Sequence, residues 1–574
     1  MSTTHTTDDI KAALKSSKQG FMAAGFFSMF INLLMLTGPL YMLQVYDRVV
    51  ASRSLETLLF LTLIMVFMFG IVGTLEWVRS RILVRIGNQL DQKLSQRVYS
   101  AMFELGIRSP NQRTSQPLSD LTSIRQFMTG NGLFAFFDVP WMPIYIGLLF
   151  VFHPAFGWFA TGAAVILFFV AILNERSTKK LLAEANGENI KAQNLATSNL
   201  RNAEVLHAMG MLPSIMGRWF QQHQLFLEKQ TQASDKSGIY SNLSKVLRMI
   251  FQSLILGLGA YYVVLNEMSP GMMIAGSILM GRALAPLDLL INSWAGFNNA
   301  RAARGRLSEV LTAIPADERN MQLPAPMGQV SIESLVVIPP GSKTPALSGV
   351  NINVLPGQHV GIVGPSAAGK STLARAMLGI WPSRSGAVRI DGAEIQHYNA
   401  DELGPHIGYL PQDIELFNGT VSENIARFGE VDPEKVVIAA KKAGVHDLIL
   451  RLPEAYDTPI GADTGSLSGG QRQRIGLARA LYDSPKIVVL DEPNSNLDEQ
   501  GEQALTGTME ILKQEGSTVF IISHRTSILR HIDKLLVMKD GKVQHFGPRD
   551  EVMKQLAANK AELAKMAKMA DASA

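Results

Sequence analysis

Across 574 residues, 53 Lys+Arg stand against 49 Asp+Glu, a formal net charge of +4; this near balance gives no ground for a nucleic-acid partner, and none is expected. The chain has no cysteine, which excludes disulfides and thiolate metal sites. Charged residues make up only 18% and the mean hydropathy is +0.13, high for a soluble protein of this size, so part of the chain is expected to lie in lipid.

Residues 1–20 are polar, with Thr3, Asp8, Asp9, Lys11 and Lys15, and lack the apolar core and cleavage site of a secretory signal. They read as a cytoplasmic N-terminal segment. Crossing the ~30 Å hydrocarbon layer takes about 20 apolar residues as a helix. Six stretches qualify, at 21–43, 57–78, 133–152, 155–173, 246–265 and 271–291. Asp138, Pro140 and Pro143 interrupt the third, and the sixth carries Arg282 and Pro286. Short links join these segments in pairs, whereas the two long loops are basic: Arg79, Arg81, Arg85, Lys93 and Arg97 lie in one, Lys179, Lys180, Lys191, Arg218 and Lys229 in the other. Excess Lys/Arg marks the cytoplasmic side, so both long loops and both termini are expected inside. Ile82, Val84, Ile86, Leu90, Leu94, Val98 and Met102 recur at near-helical spacing, which predicts membrane helices continuing into the cytoplasm, paired through turns near 117–125 and 209–214. Ionisable groups within lipid usually face a cavity or a partner. Arg282 either lines a cargo path or snorkels to the headgroups, and Asp138 reads as a helix-start or boundary feature. The transmembrane domain is placed at 21–312, with a proline-bearing linker at 313–328.

Beyond the linker the pattern turns α/β. The apolar run 360–363 reads as a buried strand, and Leu373 opens a helix. Between them Gly364, Pro365, Ser366, Ala367, Ala368, Gly369, Lys370 and Ser371, followed by Thr372, spell the G-x-x-x-x-G-K-S pattern of a phosphate-binding loop. The glycines let backbone N–H groups turn inward, and the helix start adds the positive end of its dipole. Lys370 can reach the β- and γ-phosphates and Ser371 can hold Mg²⁺. A second strand, 486–490, ends in Asp491 and Glu492. Asp491 can coordinate Mg²⁺ directly or through water, and Glu492 can orient and partly deprotonate the attacking water.

Leu467-Ser468-Gly469-Gly470-Gln471, about twenty residues before Asp491, resembles the signature of ATP-binding-cassette (ABC) proteins, in which a second helix N-terminus faces a γ-phosphate. The resemblance implies roles for other positions. Gln412 matches the glutamine that senses Mg²⁺, residues 495–498 with Asp498 match a dimer-contacting loop, and His524 matches the switch histidine on the γ-phosphate. Two positions depart from the pattern: residues 335–340 hold no aromatic to stack on adenine, leaving Val337 or its neighbours as apolar contacts, and Asn496 stands where many relatives have Ala. The fold class is thus expected to be multi-domain, an all-α six-helix transmembrane domain of ABC exporter type followed by an α/β P-loop NTPase cassette at 329–555, with an Ala/Lys-rich tail at 556–574.

One signature and one phosphate loop per chain imply a homodimer with two composite ATP sites. Residues 41–49, 137–145 and 208–211 look like the permease–ATPases of bacterial type I secretion, in the branch exporting proteases, lipases and haem-binding proteins. That resemblance implies a multi-pass protein of the bacterial inner membrane, with both termini cytoplasmic. It would work with a membrane-fusion (periplasmic adaptor) protein and a TolC-like outer-membrane channel to export an unfolded polypeptide with a C-terminal signal. A first span near residue 21 leaves no room for an N-terminal peptidase domain, so leader cleavage is not expected. Spacing alone also admits an exporter of lipid or small molecules, and a non-transporting membrane ATPase or gated channel.

Overall fold

The structure, a computed structural model, describes residues 9–109, 114–130, 132–315, 323–461, 467–523, 525 and 527–558. The chain divides near residue 316 into two compact units. In the first, six helical segments are long and apolar enough to cross a membrane among the described residues: Lys18–Ser52, Leu55–Arg108, Gly132–Phe152, Pro154–Leu200, Leu212–Val264 and Pro270–Ala313. Several far exceed the 20 residues a bilayer needs. On the second, Leu83, Ile86, Leu90, Leu94 and Val98 are buried at 3- and 4-residue intervals, the helical stripe foreseen in sequence, while Val84 turns outward. Leu59, Phe60, Leu63 and Phe67 are exposed on its apolar end, as expected of a lipid-facing surface.

The first expected turn is misplaced. Residues 117–125 lie inside a helix, Gln116–Thr129, which Pro117 opens near its first position, where its missing N–H costs nothing. Residues 209–211 do form a break, between the Ala203–Ala208 and Leu212–Val264 helices. Within the polar N-terminal segment, residues 9–16 are helical. An Asp9–Ser16 helix buries Ile10 and Ala13 in one cluster with Leu90, Leu94 and Leu307.

At one end of the bundle the three short links meet. Asp47, in a π-helical turn, accepts from the Gly271 N–H at 2.8 Å and the Ser269 hydroxyl at 2.6 Å, satisfying an orphan donor at the start of the last helix. His153 lies 3.5 Å from Glu267 and its ring lies over Tyr262. Deeper in, Asp138 ties three segments together: Arg79 reaches it at 3.1 Å and Asn32 at 2.9 Å. Asp138 is therefore an interhelical partner, not merely the boundary feature its sequence position suggests.

The second unit contains β1 (Val330–Val337), β2 (Leu347–Val354), β3 (His359–Val363), β4 (Ser385–Ile390), β5 (Ala393–Glu394), β6 (Ile407–Leu410), β7 (Gly419–Thr420), β8 (Pro459–Ile460), β9 (Ile487–Asp491), β10 (Thr518–Ile522), β11 (Lys534–Lys539) and β12 (Lys542–Pro548). A four-stranded antiparallel sheet runs β2-β1-β4-β5, and a six-stranded sheet runs β12-β11-β3-β10-β9-β6, with all but β12 parallel. β3, β9 and β10 are apolar and almost wholly buried, as strands covered on both faces must be. Their register aligns the functional ends, since Ile522 pairs with both Ile362 and Asp491, and Leu410 pairs with Leu490. The phosphate loop, the Asp491–Glu492 pair and the segment leading to Gln412 thus emerge side by side at the carboxyl edge of one sheet, where open α/β sheets bind ligands.

Candidate functional site

The phosphate loop leaves β3 and enters the Lys370–Met377 helix. A side chain at Gly364 would run into the Met538 carbonyl, and one at Gly369, which has φ 94°, would come 2.8 Å from the Ala346 carbonyl, so both positions need glycine. Pro365, Ser366 and Ala367 form the exposed crest, and Ala367 adopts φ 64°. Lys370 is 7% exposed and folds back on the loop, donating to the carbonyls of Gly364 at 2.8 Å and Pro365 at 3.0 Å. Those carbonyls hold the ammonium over the space the loop encircles.

Asp491 is 1% exposed, and neither carboxylate oxygen makes a hydrogen bond of ordinary geometry among the described residues. Burial pushes its pKa above the usual carboxylate range, while the neighbouring Ser371 hydroxyl, Arg375 and Lys370 pull it back. A buried carboxylate beside a hydroxyl suits a hard divalent cation bound through oxygen. Glu492 follows at φ 51°, a strained conformation for a non-glycine residue that turns its side chain off the strand end. Its carboxylate accepts from the Gln412 side chain at 3.2 Å. Gln412 and Glu492 thus meet across 80 residues of sequence.

Ser468 caps the Gly469–Leu481 helix. Its hydroxyl accepts from the Gln471 N–H at 3.2 Å, and the Gln471 side chain accepts from the Ser468 N–H at 2.8 Å, a reciprocal capping box. Gly469 and Gly470 add no side chain at this helix start, where first-turn N–H groups can meet an anion. Asp498 caps the following helix by accepting from the Gly501 N–H at 2.9 Å, a local task beside the dimer contact expected of it. His524 lies outside the described residues. Val337 is fully buried in the core of the β1–β2 sheet, so the expected base contact does not fall to it; Ile338, Pro339 and Pro340, just past the strand, are half-exposed.

Three residues that sequence reading passed over also shape the site. Arg427 donates to the carbonyls of Arg479 at 3.0 Å and Ala480 at 3.1 Å, closing the C-terminus of the signature helix. Arg479 donates to the Glu415 carbonyl at 3.2 Å, just beyond Gln412. Gln473 is buried among apolar residues of the same helix, and only its polarity on an otherwise apolar face marks it in sequence. In the helical unit a cavity of about 460 Å³ lies between the last two long helices, where Ser244 and Arg248 both engage Asp288; Arg282 is not among its lining residues.

A six-span helical unit followed by a cassette with phosphate loop, carboxylate pair and signature helix on one chain defines an ABC exporter subunit. The family profiles agree: the ABC transporter transmembrane region matches residues 21–286 and the ABC transporter profile matches 347–495. The fold also matches a bacterial Atm1-family ABC exporter with ATP bound, at TM-score 0.81 and 22% identity, covering 96% of this chain and 98% of that one. The type I secretion system ATP-binding protein PrsD of Rhizobium meliloti is 45% identical over 96% of this chain and 94% of its own. The leukotoxin translocation ATP-binding protein LktB of Mannheimia haemolytica is 29% identical over 95% of this chain and 77% of its own. The chain belongs to the ABC transporters of type I secretion and is an ATP-driven membrane exporter.

Proposed function

We propose that two copies of this chain, in the bacterial inner membrane with their termini in the cytoplasm, hydrolyse ATP at two composite sites to export an unfolded polypeptide bearing a C-terminal signal. A membrane-fusion adaptor and a TolC-like outer-membrane channel complete the path. The 45% identity to a type I secretion ATP-binding protein across nearly the whole chain carries this reading. It is supported by a signature helix whose glycine-bearing N-terminus can present backbone N–H groups to an anion.

In each site Lys370 exchanges the carbonyls of Gly364 and Pro365 for phosphate oxygens. Ser468, Gly469 and Gly470 of the other copy close the far side through backbone N–H groups. Asp491, Ser371 and Gln412 are the residues that would hold Mg²⁺, which when bound neutralises phosphate charge. Glu492 takes a proton from the attacking water, and the strained turn at its backbone fixes where that carboxylate points. Closure and release of the paired cassettes then alternates the access of the helical bundle.

Co-expression with a matching adaptor and outer-membrane channel tests the reading. Polypeptide should appear in the medium with the wild-type chain and vanish with Glu492→Gln. Undiminished export by that variant would overturn ATP-driven secretion, and nucleotide-dependent export of lipid without polypeptide would reassign the cargo.

A further inference from the structure

The signature helix and the hydrolytic turn are joined by one side chain. Gln473, 2% exposed, accepts from the Asn496 N–H at 3.0 Å and donates to the Glu492 carbonyl at 3.3 Å, with the Ser495 hydroxyl at 3.5 Å. The same loop abuts the start of the helix: a side chain at Gly470 would come 2.9 Å from the Asn496 carbonyl, and Asn496 packs within 4 Å of the Gly469 position. Glu492 sits at φ 51°, which persists only where the surroundings over-determine it. Its backbone is held on the strand side by its N–H to the Ile522 carbonyl at 3.0 Å, and within its own turn by the Ser495 N–H at 3.2 Å. Gln473 adds a further restraint, and it comes from the helix that carries Ser468.

We propose that Gln473 is a positioning residue that locks the Glu492 turn to the signature helix, so that nucleotide held by Ser468–Gly470 at one site sets the aim of the hydrolytic carboxylate at the other. Because Glu492 serves nucleotide on its own phosphate loop while the signature helix serves the partner's, the Gln473 contacts connect the two sites within one chain. This rests on the composite-site reading above. A glutamine that merely fills buried volume would be replaceable by leucine without kinetic consequence.

Gln473→Leu and Gln473→Glu in the full-length protein test the assignment. ATP hydrolysis is measured in steady state and divided by the number of nucleotide-binding sites titrated in the same preparation, which removes any loss from misfolding. Gln473→Leu should lower kcat per site by about 10- to 100-fold, the effect of a small misalignment of a reacting group, with KM for ATP unchanged. Gln473→Glu, which keeps the acceptor for Asn496 but loses the donor to Glu492, should fall between leucine and wild type. Wild-type kcat per site in Gln473→Leu overturns the proposal, as does a rise in KM at constant kcat. Glu492→Gln run in parallel separates the two ideas: full activity there removes the hydrolytic reading itself, whereas an inactive Glu492→Gln beside a fully active Gln473→Leu removes only the positioning role.

Discussion

The Gln412 carboxamide donates to the Glu492 carboxylate at 3.2 Å, bringing together the segments that leave β6 and β9. With Glu492 as the proposed proton acceptor, Glu492→Gln should lower kcat by about 10²–10⁴-fold while ATP binding persists. Gln412→Ala leaves the acceptor in place but unheld, and should lower kcat less. Steady-state hydrolysis with parallel nucleotide titration checks both; equal losses in the two variants would contradict the division of roles.

Lys370 is held by the Gly364 and Pro365 carbonyls. Lys370→Ala deletes the ammonium that would meet the phosphates and leaves the two carbonyls facing the binding space. ATP hydrolysis should fall to background and ATP affinity should fall with it. Wild-type turnover would remove the phosphate-loop assignment.

Gly369 has φ 94° and faces the Ala346 carbonyl, 2.8 Å from where a Cβ would sit. Gly369→Ala therefore strains the backbone and displaces either the loop or residues 346–347. ATP affinity should drop although no charge has changed, as read by nucleotide titration. Unchanged affinity would show that the loop relaxes elsewhere.

Much of this site is legible in sequence because its parts are short local patterns: a strand, a glycine-bounded turn and a helix start each declare themselves within ten residues. What binds those parts together is not local. Gln473 and Glu492 are 19 residues apart, Gln412 and Glu492 are 80 apart, and Arg79 and Asp138 are 59 apart. Such partners depend on sheet register and helix packing, which no single-chain periodicity encodes. The misplaced turn has a different origin. Pro117 falls at the start of the expected turn, yet near a helix start its fixed φ favours the helix. Val337 is ambiguous in sequence for a third reason, since a valine can serve a core or a base, and only the β1–β2 pairing turns it inward.

Arg79 is 5% exposed and pairs with Asp138. Asp138→Leu alone strands a buried guanidinium and should destabilise the helical unit by about 3–5 kcal/mol. Adding Arg79→Met should recover most of that loss, because a buried ion pair contributes little beyond a well-packed apolar pair. Thermal unfolding of the purified protein in detergent measures both. A double variant as unstable as the single would show that the pair itself, rather than its unpaired remnant, sets stability.

His359 opens β3 and is fully buried, its ring nitrogens making no hydrogen bond of ordinary geometry among the described residues. Burial, with Lys513 adding repulsion, pushes its pKa from 6.5 down to about 4, although Asp533 opposes the shift. As the pH falls through 6.5 the unfolded chain takes up a proton at this position, while the folded chain stays neutral there until about pH 4. Between these values the unfolded state binds more protons, so stability falls as the pH is lowered, by about 3 kcal/mol across the window. Above pH 6.5 the group is neutral in both states and contributes no pH dependence. His359→Leu, similar in size and without a titrating group, should flatten this slope while leaving in place the two bonds of the His359 backbone, its N–H to the Asp533 carboxylate and its carbonyl from the Asp533 N–H, each 2.8 Å. Hydrogen exchange of the β3 amides from pH 4.5 to 7, corrected for intrinsic rates, reads the effect directly. Protection in the wild type should weaken toward acid more steeply than in the variant, and parallel slopes would assign the acid sensitivity of this strand to another group.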